Sequence, residues 1–452
     1  MIHKFKQGGL NIVLDISSGA VHIIDEMVYD ILDYYPDANI DKIVEKLKNK
    51  YTEEDLREAC DDIDSLINEK LLFSPDNYEN NVQFKNRKPV VKSMCLHVAH
   101  DCNLRCGYCF ASQGDYQGSR SLMSAETGKK SLLYLAENSG NRRNLEVDFF
   151  GGEPLMNFDV VKEIAEYGKS IEKQYKKNFR YTITTNGMLL DDDIIDYLNE
   201  NMDNVVMSLD GRKKVNDKMR PIVGGGSSYD VIVPKFKKLV DKRGDKDYFI
   251  RGTFTKLNLD FAKDVKHFAD LGFKSTSMEP VVSEPGLPYT IEESDLETIY
   301  AQYDELAEEM LSRHGTDDDF GFFHYNVDLE QGPCIIKRLT GCGAGSEYIA
   351  VTPEGDIYPC HQFVGNEKMK MGSILDESWD AEMSLVFKNA HIFNKPKCRD
   401  CWAKYYCSGG CHANAYNFNG DINIPYEIGC DLEKKRLETS IYMQAKIMLL
   451  ED

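Results

Sequence analysis

The stretch His100-Asp101-Cys102-Asn103-Leu104-Arg105-Cys106-Gly107-Tyr108-Cys109-Phe110 sets three thiols at C-x-x-x-C-x-x-C spacing. A [4Fe–4S] cluster ordinarily takes four thiolates, so a compact loop of three leaves one iron without a protein ligand and open to a small molecule. Tyr108 and Phe110 flank Cys109 and supply an aromatic wall that can shield a cluster and pack against a purine. The competing reading is zinc, but zinc sites pair C-x2-C units and need a fourth ligand close by. Just upstream, Met94, Leu96 and Val98 alternate with Cys95, His97 and Ala99, a period of two that predicts a strand running into the loop.

Working outward, strand-like runs alternate with helix-period segments from about residue 93 to 313, the pattern of a parallel sheet with crossover helices. Six strands are expected, near residues 94–99, 145–150, 180–185, 204–209, 248–255 and 275–281. Six β/α units make an incomplete α/β barrel open on one side, and such barrels collect their chemistry at the carboxyl ends of the strands. Distinctive residues fall at those ends. The second strand ends in Gly151-Gly152-Glu153-Pro154, the third in Thr185-Asn186-Gly187, and the fourth in Ser208-Leu209-Asp210-Gly211, with Arg220 shortly after. Glycines permit close backbone approach to a ligand. Glu153 can accept hydrogen bonds from an ammonium group, and Asn186 and Ser208 offer what a ribose needs. Arg220 is a candidate for a charge-assisted bond to a carboxylate.

On these residues the chain resembles the radical S-adenosylmethionine (SAM) enzymes, a family defined by this cysteine motif at the end of a first barrel strand. The resemblance implies a partial (β/α)6 TIM-type radical SAM barrel over residues 86–313. Cys102, Cys106 and Cys109 would hold the SAM-binding [4Fe–4S] cluster and carry the catalytic chemistry. Gly151, Gly152 and Glu153 would receive the methionyl amino group, while Tyr108, Asn186, Ser208 and Arg220 would complete the cofactor site.

The chain has thirteen cysteines in 452 residues, and eleven of them lie in two groups. MIHKFKQGG at the start lacks the apolar run of a secretory signal, so a reduced, metal-bound fate and a cytoplasmic location are expected. The longest apolar runs fall short of a membrane span. A formal charge of −21 repels phosphate backbones, which argues against a nucleic-acid partner.

The second group runs Cys342, then Gly355-x4-Cys360, then Cys398-x2-Cys401-x5-Cys407-x3-Cys411, and finally Cys430. It resembles the SPASM extension, which carries two auxiliary [4Fe–4S] clusters, over a bridge and SPASM domain at 314–452. Carried over, Cys398, Cys401, Cys407 and Cys430 ligate the distal cluster, and Cys342, Cys360 and Cys411 the proximal one. The proximal set is one thiol short. Either Cys334 completes it or its iron stays open for a substrate thiolate, the reading preferred here. Sulfatase maturases carry an Asp after the cysteine that Cys360 matches, where this chain has His361.

Residues 1–85 form a separate unit by pattern: two short strands at 10–16 and 20–24, then helices at about 25–35, 39–50 and 53–70. This resembles a winged-helix module that captures a leader peptide as an added strand, and its acidity argues against DNA. Taken whole, the chain resembles the radical SAM/SPASM peptide maturases, closest to the SCIFF (six-cysteine) group. That implies thioether formation, Cys sulfur to α-carbon, in a Cys-rich precursor peptide through 5′-deoxyadenosyl radical hydrogen abstraction. It implies three [4Fe–4S] clusters, SAM, and an electron donor such as a flavodoxin or ferredoxin. The alternatives are sulfatase-maturase-type formylglycine formation and a non-catalytic Fe–S electron carrier.

Overall fold

The computed structural model describes residues 1–80, 88, 90–327, 329 and 339–451. Cys334 and the middle of the linker at 81–87 lie outside the described residues.

The amino-terminal unit opens with three antiparallel strands, β1 (Ile2–Gln7), β2 (Leu10–Asp15) and β3 (Val21–Ile24), in that order across the sheet. The sequence reading expected only the last two. Helices α1 (Glu26–Ile31), α2 (Ile40–Leu47) and α3 (Glu53–Asn68) follow, and the Thr52 hydroxyl caps α3 by accepting from the Asp55 amide. The period of two along β2 splits its side chains. Val13 joins Ile31, Ile43, Leu56, Cys60 and Ile63 in a core of the unit's own. Ile12 and Leu14, with Phe5, face the other way onto Leu437, Ile441 and Tyr442 near the carboxyl terminus. Each such buried side chain contributes about 1.5–3 kcal/mol, so the docking is firm. The His3 ring stacks on Trp402 with centroids 3.7 Å apart. The linker's first turn is also fastened, for Asp76 accepts from Lys404 at 2.8 Å and from the Tyr405 hydroxyl at 2.5 Å.

The barrel strands fall where the alternation placed them: β4 (Ser93–Ala99), β5 (Asn144–Gly151), β6 (Asn178–Thr185), β7 (Asn204–Ser208), β8 (Tyr248–Phe254) and β9 (Ser275–Pro280), each parallel to the next. Crossover helices α4 (Ala125–Asn138), α5 (Phe158–Tyr175), α6 (Asp192–Asn201), α7 (Lys213–Met219), α8 (Ser228–Arg243) and α9 (Ala262–Asp270) lie between them, and α10 (Leu296–Arg313) follows the last. β4 is buried from Met94 to Ala99 because both of its faces are covered, as a central parallel strand requires.

The sheet continues past the expected domain boundary at residue 313. β10 (Gly321–Phe322) pairs parallel with β9. β11 (Tyr348–Val351) pairs parallel with β4, and β12 (Asp356–Tyr358), β13 (Gly372–Ser373) and β14 (Ser378–Trp379) extend that edge antiparallel. The side flanking the cysteine strand is thereby covered by the carboxyl-terminal third. Helices α11 (Ala381–Asn389), α12 (His412–Asn419) and α13 (Glu427–Glu451) complete the chain, with α13 packed along α10. Among the described residues no helix is long and apolar enough to cross a membrane.

Candidate active site

Cys102, Cys106, Cys109, Tyr108, Gly151, Gly152, Glu153, Asn186, Ser208 and Arg220 all line one cavity of about 560 Å³ at the carboxyl ends of the barrel strands. Its far wall carries Cys407, Cys411 and Cys430. Both cysteine groups therefore open on the same space.

Local backbone contacts position the cysteine loop. The Gly152 amide donates to the Ala99 carbonyl at 2.8 Å, and the Glu153 amide to the Asp101 carbonyl at 2.9 Å. A Cβ at Gly151 would lie 2.2 Å from Ala99 O, and one at Gly152 2.2 Å from Asp101 O. The two glycines thus seat the end of β5 against the end of β4 and the start of the loop. Backbone meets backbone here, and both glycines also line the cavity.

Glu153, 1 % exposed, accepts from Thr185 Oγ1 at 2.7 Å, the Asn186 amide at 2.7 Å and the Leu155 amide at 3.1 Å. Burial pushes its carboxyl up to about 6 against those bonds. Asn186 Nδ2 donates to Asn103 Oδ1 at 2.8 Å and lies 3.6 Å from the Cys102 sulfur, tying the tip of β6 to the loop.

Tyr108 does more than present an aromatic face. Its hydroxyl donates to the Asp210 carboxylate at 2.7 Å and accepts from Arg220 Nη1 at 2.9 Å, so loop, β7 tip and Arg220 form one buried chain. Arg220 Nη1 stands 3.7 Å from Asp210, which is fully buried and whose carboxyl is held above its ordinary value by that burial. Arg220 Nε is buried with no hydrogen-bond partner among the described residues. A buried donor left unpaired at a cavity wall fits an acceptor supplied by a ligand, such as a carboxylate.

His361 lies in the same cavity between the rings of Phe110 and Phe150, with centroids 5.7 and 5.3 Å away, and its Nδ1 is 3.0 Å from the Tyr348 hydroxyl. Burial drops its pKa to about 4, so it is a neutral imidazole at pH 7. Glu279, which closes β9, faces Arg436 of α13 at 3.3 Å and His324 at 3.3 Å. The Arg436 guanidinium holds its carboxyl below the usual range despite burial, while burial drops the pKa of His324 to about 4.

The twelve described cysteines are all free thiols. Cys342, Cys360 and Cys411 lie within one another's electrostatic reach, and Cys398, Cys401, Cys407 and Cys430 form a second such set. The resemblance assigns the first of these sets to a proximal cluster and the second to a distal one. Burial pushes the thiols of Cys106 and Cys407 up to about 12 and that of Cys430 up to about 11, so they become thiolates only by binding metal. Among the described residues no three His, Cys, Asp or Glu side chains gather about a single ion-sized point.

Sequence reasoning missed two residues of the site, Asp210 and Arg436. Asp210 stood in a quoted motif and had no signal beyond its place at a strand end. Arg436 reaches the cavity only through tertiary packing.

Residues 96–277 match the Radical SAM superfamily and residues 342–402 the iron–sulfur cluster-binding domain called SPASM. The chain therefore carries a radical SAM domain followed by a SPASM domain, with the SAM and multiple [4Fe–4S] clusters these imply. The cysteine-type anaerobic sulfatase-maturating enzyme of Clostridium novyi is 27% identical over 376 residues, spanning 78% of this chain and 96% of that protein. The radical SAM cyclopropyl synthase TigE of Paramaledivibacter caminithermalis is 21% identical, spanning 95% of this chain and 92% of that one. SuiB of Streptococcus suis, solved bound to its precursor peptide SuiA, superposes with a TM-score of 0.55 at 16% identity, covering 95% of this chain and 98% of SuiB. The protein is thus a radical SAM/SPASM enzyme related to sulfatase maturases and to peptide-modifying enzymes.

Proposed function

We propose that this enzyme installs a thioether, Cys sulfur to α-carbon, in a Cys-rich ribosomally made peptide whose leader is held by the amino-terminal unit. One observation carries this reading. TigE and SuiB extend over 95% of the chain, whereas the sulfatase-maturating relative extends over 78%, a shortfall the size of the amino-terminal unit. That unit has its own core and is docked on the domain bearing the second cysteine group. The choice of a sulfur linkage rests on reading the proximal set as three thiols with a position open to a substrate thiolate, the alternative being that Cys334 fills it. Formylglycine formation on a sulfatase remains the second reading, favoured by the higher identity to the Clostridium novyi enzyme.

When bound, SAM and its cluster supply a 5′-deoxyadenosyl radical able to take hydrogen from a peptide α-carbon. The chain's part is to bind, orient and exclude water. In this reading Glu153 accepts from the methionyl ammonium, Arg220 Nε donates to the carboxylate, and Asn186 and Ser208 hold the ribose. Phe110 and Phe150 close the aromatic side around His361.

Glu153 gives a pH signature. Its carboxyl is raised to about 6, and the ionised form is the better acceptor for an ammonium. SAM affinity should hold above pH 6 and weaken as pH falls through it, whereas Glu153→Gln should bind weakly and without that inflection. Equilibrium dialysis across this range under anaerobic conditions measures both.

β3 pairs only with β2 among the described residues, which leaves its outer edge for an added strand. Leader capture there would raise the local concentration of the core peptide to the millimolar order. Ile23 is 42% exposed on β3. Ile23→Glu should raise the KM for the leader-bearing peptide about tenfold, some 1.4 kcal/mol. SAM cleavage without peptide should be unchanged. An unaltered KM would place the leader elsewhere.

A further inference from the structure

Lys395 is completely buried, yet none of the ion pairs among the described residues gives it a carboxylate. Its Nζ donates to the Gly409 carbonyl at 2.8 Å, midway along the loop that joins Cys407 to Cys411. Its own carbonyl accepts from the Cys398 amide at 2.9 Å, so its backbone starts the turn that bears Cys398. A Cβ on Gly341, beside Cys342, would lie 3.4 Å from Ser408 O, which brings the Cys342 segment against the same loop. The thiols whose charge reaches the ammonium are Cys398, Cys407, Cys411 and Cys342, two from each set.

A buried ammonium costs several kcal/mol unless an anion answers it, and a single carbonyl is a poor answer. The anions in reach are the two thiolate sets. With clusters bound, three or four thiolates around a [4Fe–4S] core in its 2+ state leave a net negative charge, and each electron added makes it more negative. Lysine suits this position because its ammonium is a compact point charge that needs no particular approach direction. Interaction with such a charge falls only as the inverse of distance, so one cation between two clusters acts on both.

We propose that the Lys395 ammonium is the shared counter-ion of the two auxiliary clusters, raising both of their reduction potentials so that each accepts an electron more readily. The inference rests on the reading that both cysteine sets hold clusters. Iron content near twelve per chain and two auxiliary EPR signals in the wild-type enzyme test that reading separately, and their absence would sink both.

The deciding experiment is an EPR-monitored redox titration of full-length wild type, Lys395→Met and Lys395→Arg, reconstituted anaerobically and matched for iron. In Lys395→Met both auxiliary midpoints should move to more negative potential while that of the SAM-site cluster stays put, and Lys395→Arg should stay close to wild type. Unchanged midpoints in a fully loaded Lys395→Met enzyme, or a shift at one auxiliary cluster alone, would overturn the proposal. Should Lys395→Met fail to load, pulsed EPR of reduced wild type labelled with ¹⁵N at lysine side chains decides. A nitrogen coupling on both auxiliary signals is expected, and its absence from either would overturn the shared role.

Discussion

Gly152→Ala should lower SAM cleavage by about 100-fold or more, with iron lost from the three-cysteine loop and retained at the SPASM thiols. The new Cβ would stand 2.2 Å from Asp101 O, 2.6 Å from Asp101 C and 3.1 Å from Gly114 Cα. All three are backbone atoms, which cannot swing aside as the end of a long side chain can. Asp101 immediately precedes Cys102, so relieving the clash moves the first cluster ligand. Gly107→Ala is the contrast. Gly107 lies inside the loop between Cys106 and Tyr108, but its nearest neighbour would be Met219 Cε at an ordinary 3.5 Å. That variant should keep its iron and its cleavage. Iron assay and chromatography of 5′-deoxyadenosine compare the two, and a fully loaded, active Gly152→Ala enzyme would refute the packing argument.

Arg220→Met should cost both stability and cofactor affinity. It removes the cation beside Asp210, a fully buried carboxylate, and breaking a buried pair from one side costs about 3–5 kcal/mol. The low end applies here, because the Tyr108 hydroxyl and the Thr253 amide still donate to Asp210. The charge-assisted bond proposed from Nε to the SAM carboxylate would be lost too, at about 1.5–3 kcal/mol, or roughly 10- to 100-fold in affinity. The two losses separate in Arg220→Met/Asp210→Asn, which removes the stranded charge. That double variant should recover much of the stability and none of the affinity. Recovery of both would assign Arg220 a purely structural role.

The parallel barrel was legible because its strands are long enough to display a period and stand between strongly amphipathic helices. Met94 to Ala99 is the clearest instance, where the alternation located β4 although burial on both faces erases any polar side. β10 and β11 were not legible. Runs of two and four residues carry no period, and their pairing with β9 and β4 is decided by tertiary contact. β1 escaped notice because IHKFKQ keeps only Phe5 buried, its other residues lying at a partly covered edge.

The site divides in the same way. Spacing alone gathered Cys102, Cys106 and Cys109, and motif position placed Glu153, Asn186, Ser208 and Arg220 on one cavity. What spacing could not reveal was that Tyr108, Asp210 and Arg220 form a single hydrogen-bonded chain, since these residues span more than a hundred positions. The meeting of the two cysteine groups across that cavity was likewise invisible, for it depends on how α13 and the 407–411 loop fold back over the strand ends.

The most direct test of the account is an anaerobic reaction of the reconstituted enzyme with SAM, reductant and a Cys-rich precursor peptide carrying its leader, followed by tandem mass spectrometry. The account predicts a peptide lighter by two hydrogens for each bridge, loss of the corresponding free thiol, and 5′-deoxyadenosine formed alongside. Conversion of a sulfatase-type Cys peptide to the aldehyde, with the precursor peptide untouched, would contradict it and establish the second reading instead.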